Sequence, residues 1–220
     1  MNDRDWRSRG AGVEPRQIDP QGLSLPAILP GLLFALGVGL LSVCGWHPVA
    51  SPWGLALSLV MATLPWATVL VLRHPISALG YTGRRALARY GWGMVTGAAW
   101  RGLSMLLNLH WAAGWPLAST AGPLLQGFVV IPLVEETFFR GYLGLGLRPR
   151  LGWAGAVVVQ AVLFTLLPGH WGQGVPGVIG VLVFGLLSGA LVAKTGSVWA
   201  AWGAHGLANV LPGLLLLLVA

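Results

Sequence analysis

The sequence predicts an all-α, polytopic integral membrane helix bundle of about seven transmembrane helices, and three observations predict it. Hydrophobic residues make up 55% of the 220 and charged ones 9%, with a mean hydropathy of +0.75, whereas a soluble domain carries about a quarter of its residues charged. The apolar residues gather into runs close to the ~20 residues that a helix needs to cross a bilayer. The basic residues fall between alternate runs, on one side only.

Residues 1–24 are polar, mixed in charge and broken by Gly and Pro, and read as a retained N-terminal tail. A signal peptide would place its apolar stretch nearer the start. The remainder, 25–220, is expected to be one transmembrane helical domain. Its runs lie at 25–46, 53–72, 91–112, 117–134 (continuing as a less apolar helix to about 147), 151–167, 176–193 and 197–219. Arg4, Arg7, Arg9, Arg16, Arg73, Arg84, Arg85, Arg89, Arg148, Arg150 and Lys194 all fall on one side of that topology. The opposite loops carry no Lys or Arg but hold Trp46, Trp53, Trp111, Trp115 and Trp171, as an interfacial belt would. The N-terminus is therefore expected in the cytoplasm and the C-terminus on the far side. Gly93/Gly97 and Gly185/Gly189 have the small-xxx-small spacing of closely packed membrane helices.

The net charge of +7 and pI near 11 do not indicate nucleic acid, because the basic residues are spread between apolar runs and form no single face. The single cysteine, Cys44, excludes an intramolecular disulfide and a cysteine-based zinc site.

Of the six acidic residues, four are in the tail, leaving Glu135 and Glu136 at the end of the run Gly127 to Val134. A charge within a span costs roughly 2.5–3.5 kcal/mol, so this pair needs a partner or a function. Glu136 and Arg140 are four apart and can pair on one helical face, whereas Glu135 is turned about 100° away and is the freer carboxylate, suited to a general base. The simpler alternative is a structural ion pair. His205 and Asn209 are also four apart on one face. His170 lies in Pro168-Gly169-His170-Trp171-Gly172-Gln173-Gly174, where the spanning pattern breaks. His170, His205 and Glu135 would be an acceptable ligand set for a divalent metal such as zinc, with a position left open for water. Arg101, in the middle of the third run, receives no role.

Glu135-Glu136-Thr137-Phe138-Phe139-Arg140-Gly141 resembles the EExxxR motif of the CPBP intramembrane proteases, a family that includes the CAAX prenyl endopeptidases and the Abi bacteriocin-immunity proteins. His205-Gly206-Leu207-Ala208-Asn209 resembles its HxxxN motif, and Lys194 to Trp199 the stretch before it; the similarity covers about 117–215. The family's FxxxH motif is altered, since Phe164 is followed by Pro168 and the histidine comes only at His170, in a sequence similar to the family's HxxQG. This requires an insertion or a helix that ends near Pro168. The resemblance implies an intramembrane endopeptidase, of metallopeptidase type if a metal is bound. Glu135 would activate a water, Glu136 would assist or be held by Arg140, His170 and His205 would position the water directly or through the metal, and Asn209 would stabilise the oxyanion. The rival expectation is a non-catalytic scaffold, immunity factor or small-molecule carrier with a degenerate site. The expected partners are the lipid bilayer and a peptide or membrane-protein substrate, with no nucleic acid. The expected location is a bacterial inner (plasma) membrane.

Overall fold

The computed structural model describes residues 23–48, 51–83, 85–107, 109 and 121–219. Most of the expected tail, the beginning of the fourth run, Arg84, Trp111 and Trp115 lie outside the described residues. The chain is an all-α bundle, with no strand among the described residues. In order, it contains α1 (Leu25–Val43), α2 (Pro52–Val71), a 3-10 turn (Ile76–Leu79), α3 (Ala86–Leu106), α4 (Ala121–Leu125), a π-helical stretch (Gln126–Val130) and α5 (Ile131–Glu136). A second π-helical stretch (Thr137–Gly144), α6 (Leu145–Thr165), α7 (Pro168–Trp171), α8 (Gly174–Thr195) and α9 (Val198–Val219) follow.

Every apolar run contains a helix, but the expected seven crossings are not confirmed. Among the described residues, four stretches are long and apolar enough to cross a membrane: Leu25–Val43, Pro52–Val71, Ala121–Thr165 and Gly174–Thr195. The third takes in the expected fourth and fifth spans together. It is interrupted at Gly152, whose φ of +64° and ψ of 179° are open to glycine and break the helical path. Beyond the break the chain packs back on the second π-helical stretch, with Phe164 stacked edge-on to Phe139 at 5.3 Å.

Leu33, Leu40, Leu55, Leu70, Val71, Trp92 and Leu106 are exposed, while Glu136, Arg140, Gln160, Ser188 and His205 are buried. An apolar exterior around a polar interior is the distribution that lipid as solvent selects, so the chain is an integral membrane protein. The glycine pairs lie where helices approach closely. A Cβ at Gly97 would stand 2.0 Å from the Ala204 carbonyl oxygen, and one at Gly93 2.0 Å from that of Ala200, so α3 lies against the α9 backbone. Gly185 and Gly189 bring α8 against Ala161, Val157 and Gln160 of α6. The last residues of α5 and the middle of α9 thereby come together at the bundle centre.

Candidate active site

Glu135 and Glu136 end α5 and face α9. Arg140 lies one turn on, within the π-helical stretch; its Nε is 3.1 Å from Glu136 Oε2, and both side chains are fully buried. The other Glu136 oxygen, Oε1, lies 2.7 Å from His205 Nδ1. An ionised carboxylate only accepts, so this contact places the imidazole proton on Nδ1 and turns Nε2 the other way. Nε2 faces Glu135 Oε2 at 3.7 Å, too far for a hydrogen bond and close enough for one small atom to touch both. That Glu135 oxygen is buried and has no hydrogen-bond partner among the described residues. Glu135 keeps 17% of its side chain accessible, whereas Glu136 keeps none. The two adjacent carboxylates thus have different surroundings: Glu136 is hydrogen-bonded to His205 through Oε1 and ion-paired with Arg140 through Oε2, whereas Glu135 keeps part of its side chain accessible.

His170 reaches the same region by a different route. Pro168 has no N–H and disfavours helix at the residue before it, so α6 ends at Thr165 and Leu167 is extended (φ −58°, ψ 143°) before α7 starts at Pro168. This turn folds His170 back over the preceding helix. Its Nδ1 lies 2.8 Å from the Phe164 carbonyl oxygen and its ring 4.4 Å from the Phe164 ring. The six-residue separation of Phe164 and His170 therefore gives the ring-on-ring contact through a helix break rather than along one helical face. Burial pushes the His170 imidazole towards its neutral form, and the Glu135 charge opposes that shift. His47 Nδ1, from the loop after α1, meets the Pro168 carbonyl at 3.2 Å and braces the turn.

Phe164 is the hub of the arrangement. Its ring carries the Arg140 guanidinium at 4.2 Å and stands edge-on to His205 at 6.0 Å, in addition to His170. Asn209 lies one turn beyond His205, and its Nδ2 donates to the Gly127 carbonyl at 3.0 Å, which ties α9 to the first π-helical stretch. A second N–H of the same amide remains. Arg101 is buried on α3, one turn beyond Gly97.

Several members of the cluster were not among the expected residues. Ser188 of α8 accepts from Arg140 Nη2 at 2.5 Å, and Phe184, one turn earlier, places its ring 5.2 Å from His205. A hydroxyl inside an otherwise apolar run was the available signal for Ser188. Tyr81 meets Thr137 Oγ1 at 2.5 Å, and Thr137 in turn donates to the Leu133 carbonyl. Burial pushes the Tyr81 phenol up to about 12, so it holds its proton and donates. Nothing in the loop sequence marked it.

Among the described residues no group of three or more His, Cys, Asp or Glu side chains is placed so that it could hold a metal ion. Glu135 and His205 supply two facing donors, whereas a catalytic zinc takes three protein ligands. As placed, those two donors alone do not make up that set.

A lipid-facing helical bundle thus holds a partly accessible carboxylate, an imidazole and a buried ion pair together in its interior. Residues 116–211 match the family model described as type II CAAX prenyl endopeptidase Rce1-like. The match spans somewhat under half of the chain and takes in Glu135, Glu136, Arg140, His170, His205 and Asn209. No curated protein and no solved structure matches the chain.

Proposed function

We propose that this protein is an intramembrane endopeptidase in which Glu135 activates the attacking water. The observation that carries the reading is the 3.7 Å gap between Glu135 Oε2 and His205 Nε2, with His205 oriented by Glu136 and Glu136 held by Arg140. A water in that gap donates one hydrogen to each acceptor and presents its lone pair to a peptide carbonyl. Glu135 takes a proton as the oxygen attacks, and the carbonyl becomes a tetrahedral oxyanion. The remaining N–H of Asn209 is the donor for that oxyanion. The protonated Glu135 then returns its proton to the departing amine as the C–N bond breaks, which balances the hydrolysis. His170 and Phe164 form the wall beside the water and limit its freedom.

The test uses purified protein in lipid nanodiscs with a panel of membrane-anchored peptides, both prenylated at a C-terminal cysteine and unmodified, and with bound metal quantified in the same samples. Glu135→Gln and His205→Ala should each lower cleavage by about 10²–10⁴-fold, and the double variant should be little worse, because the two residues act on one water. Wild-type rates for Glu135→Gln would remove Glu135 as the base. Folded protein that cleaves none of the panel would favour the scaffold or carrier reading. One equivalent of tightly bound metal would require His170 to join Glu135 and His205 as a ligand.

A further inference from the structure

Of the three guanidinium nitrogens of Arg140, Nη2 donates to Ser188 and Nε lies in ion-pair contact with Glu136 without a hydrogen bond. Nη1 is buried and has no hydrogen-bond partner among the described residues. Across from it, on α6, Gln160 is buried and its amide is fixed in direction. Nε2 donates to the carbonyls of Val157 at 2.9 Å and Gly185 at 3.0 Å, which uses both amide hydrogens and leaves Oε1 buried without a partner. Arg140 and Gln160 line the same small, partly open cavity, together with Ala156, Gly189 and Trp153, with a volume of about 10 Å³. That is about the space of one water molecule. A charged donor and an amide acceptor, each costly to bury unmet, therefore belong to two residues that line a space of about that size. Glycine at 189 keeps the amide in place, because a Cβ there would stand 2.5 Å from Gln160 Nε2.

We infer that this cavity is a binding site for a single water that accepts from Arg140 Nη1 and donates to Gln160 Oε1, and that Gln160 is thereby a positioning residue for the Glu136–His205 pair. Gln160 is in hydrogen-bond contact with neither carboxylate nor imidazole; it acts through the water and Arg140. The positioning role rests on the endopeptidase reading, whereas the water site does not.

The test is water-edited nitrogen-15 solid-state NMR of the full chain in lipid bilayers, with the Arg140 guanidinium signals identified by their loss in Arg140→Lys. Wild type should show rapid magnetisation transfer from water to an Arg140 Nη. Ala156→Val, which fills the cavity with apolar groups, should abolish that transfer, lower the melting temperature and shift the His205 ring nitrogens as Arg140 readjusts on Glu136. Gln160→Met, which removes the acceptor at similar size, should do the same and decides the matter if Ala156→Val does not fold. Absence of transfer in wild type, or transfer that persists in the variants, overturns the site. So does an Ala156→Val protein that melts higher with unchanged His205 signals, the behaviour of a dry apolar cavity. None of these readouts needs cleavage, so failure of the water site and failure of the endopeptidase reading are distinguishable.

Discussion

Arg140→Ala is the substitution whose effect follows most directly from the structure. The guanidinium and the Glu136 carboxylate are 3.1 Å apart with neither side chain accessible, and removal of the cation leaves Glu136 Oε2 facing no donor. It also withdraws the donor to Ser188 and the cation lying 4.2 Å over Phe164. Breaking a buried ion pair by deleting one member costs about 3–5 kcal/mol, which lowers the folded-to-unfolded ratio by roughly two to four powers of ten. Heat- or SDS-induced unfolding of the detergent-purified protein would read this as a shifted midpoint and a reduced folded yield. Arg140→Lys should recover only part of the loss, since one ammonium replaces a fork that reaches Glu136 and Ser188 together. Combining Arg140→Ala with Glu136→Gln should cost less than the sum of the single changes, because the charge left behind is itself removed. An Arg140→Ala protein that unfolds at the wild-type midpoint would mean that the pair is hydrated, and the argument for a buried cluster would fall with it.

Three further predictions concern topology, packing and the oxyanion. Reporter fusions after Arg89, Arg150 and Lys194 should report the cytoplasm and those after Trp115 and Ala220 the opposite side; a cytoplasmic report from Ala220 would mean an even number of crossings. Gly97→Ala should destabilise the protein by about 1–3 kcal/mol, as for overpacking, because the new methyl would meet the Ala204 carbonyl oxygen at 2.0 Å and push α3 from α9. An unchanged unfolding midpoint would contradict that packing. Asn209→Ala should reduce kcat by about 10²–10³-fold with little change in substrate binding, and a purely KM effect would reassign Asn209 to binding.

The helices were legible because lipid as solvent leaves long apolar runs with few interruptions, and each of those runs contains a helix. The pairing of Glu136 with Arg140 was legible as well, since it depends only on a four-residue separation along one helix. Glu135 and His205 could be grouped from the sequence only by residue type and by resemblance, since they are 70 residues apart and only the close glycine-mediated approach of helices brings α9 to the end of α5. His170 shows an intermediate case. Pro168 announced a break, but periodicity alone reads the following residues as a displaced motif, whereas the extended Leu167 reverses the path and returns the ring to Phe164. Gly152 is similar, a glycine among many whose positive φ became visible only in three dimensions. Ser188, Gln160 and Tyr81 belong to the cluster through contacts between elements, to which a single sequence gives little access.

The π-helical stretch at Thr137–Gly144 follows directly on the two glutamates. A π turn closes its hydrogen bond one residue later than an α turn, so it inserts phase into the helix: what lies before it is rotated relative to what lies after. Here the acidic pair lies before and the segment packed on α1, through Ile28 against Gly146, lies after. The heading of Glu135 is therefore a matter of how many residues the helix contains, not only of which ones. If the stretch relaxed to α with every residue retained, one half would swing by about 100° relative to the other, whereas deleting one residue between 137 and 144 would let it close as α with the two halves nearly in phase. Helix length acts here as a dial on carboxylate direction, which side-chain substitution does not turn.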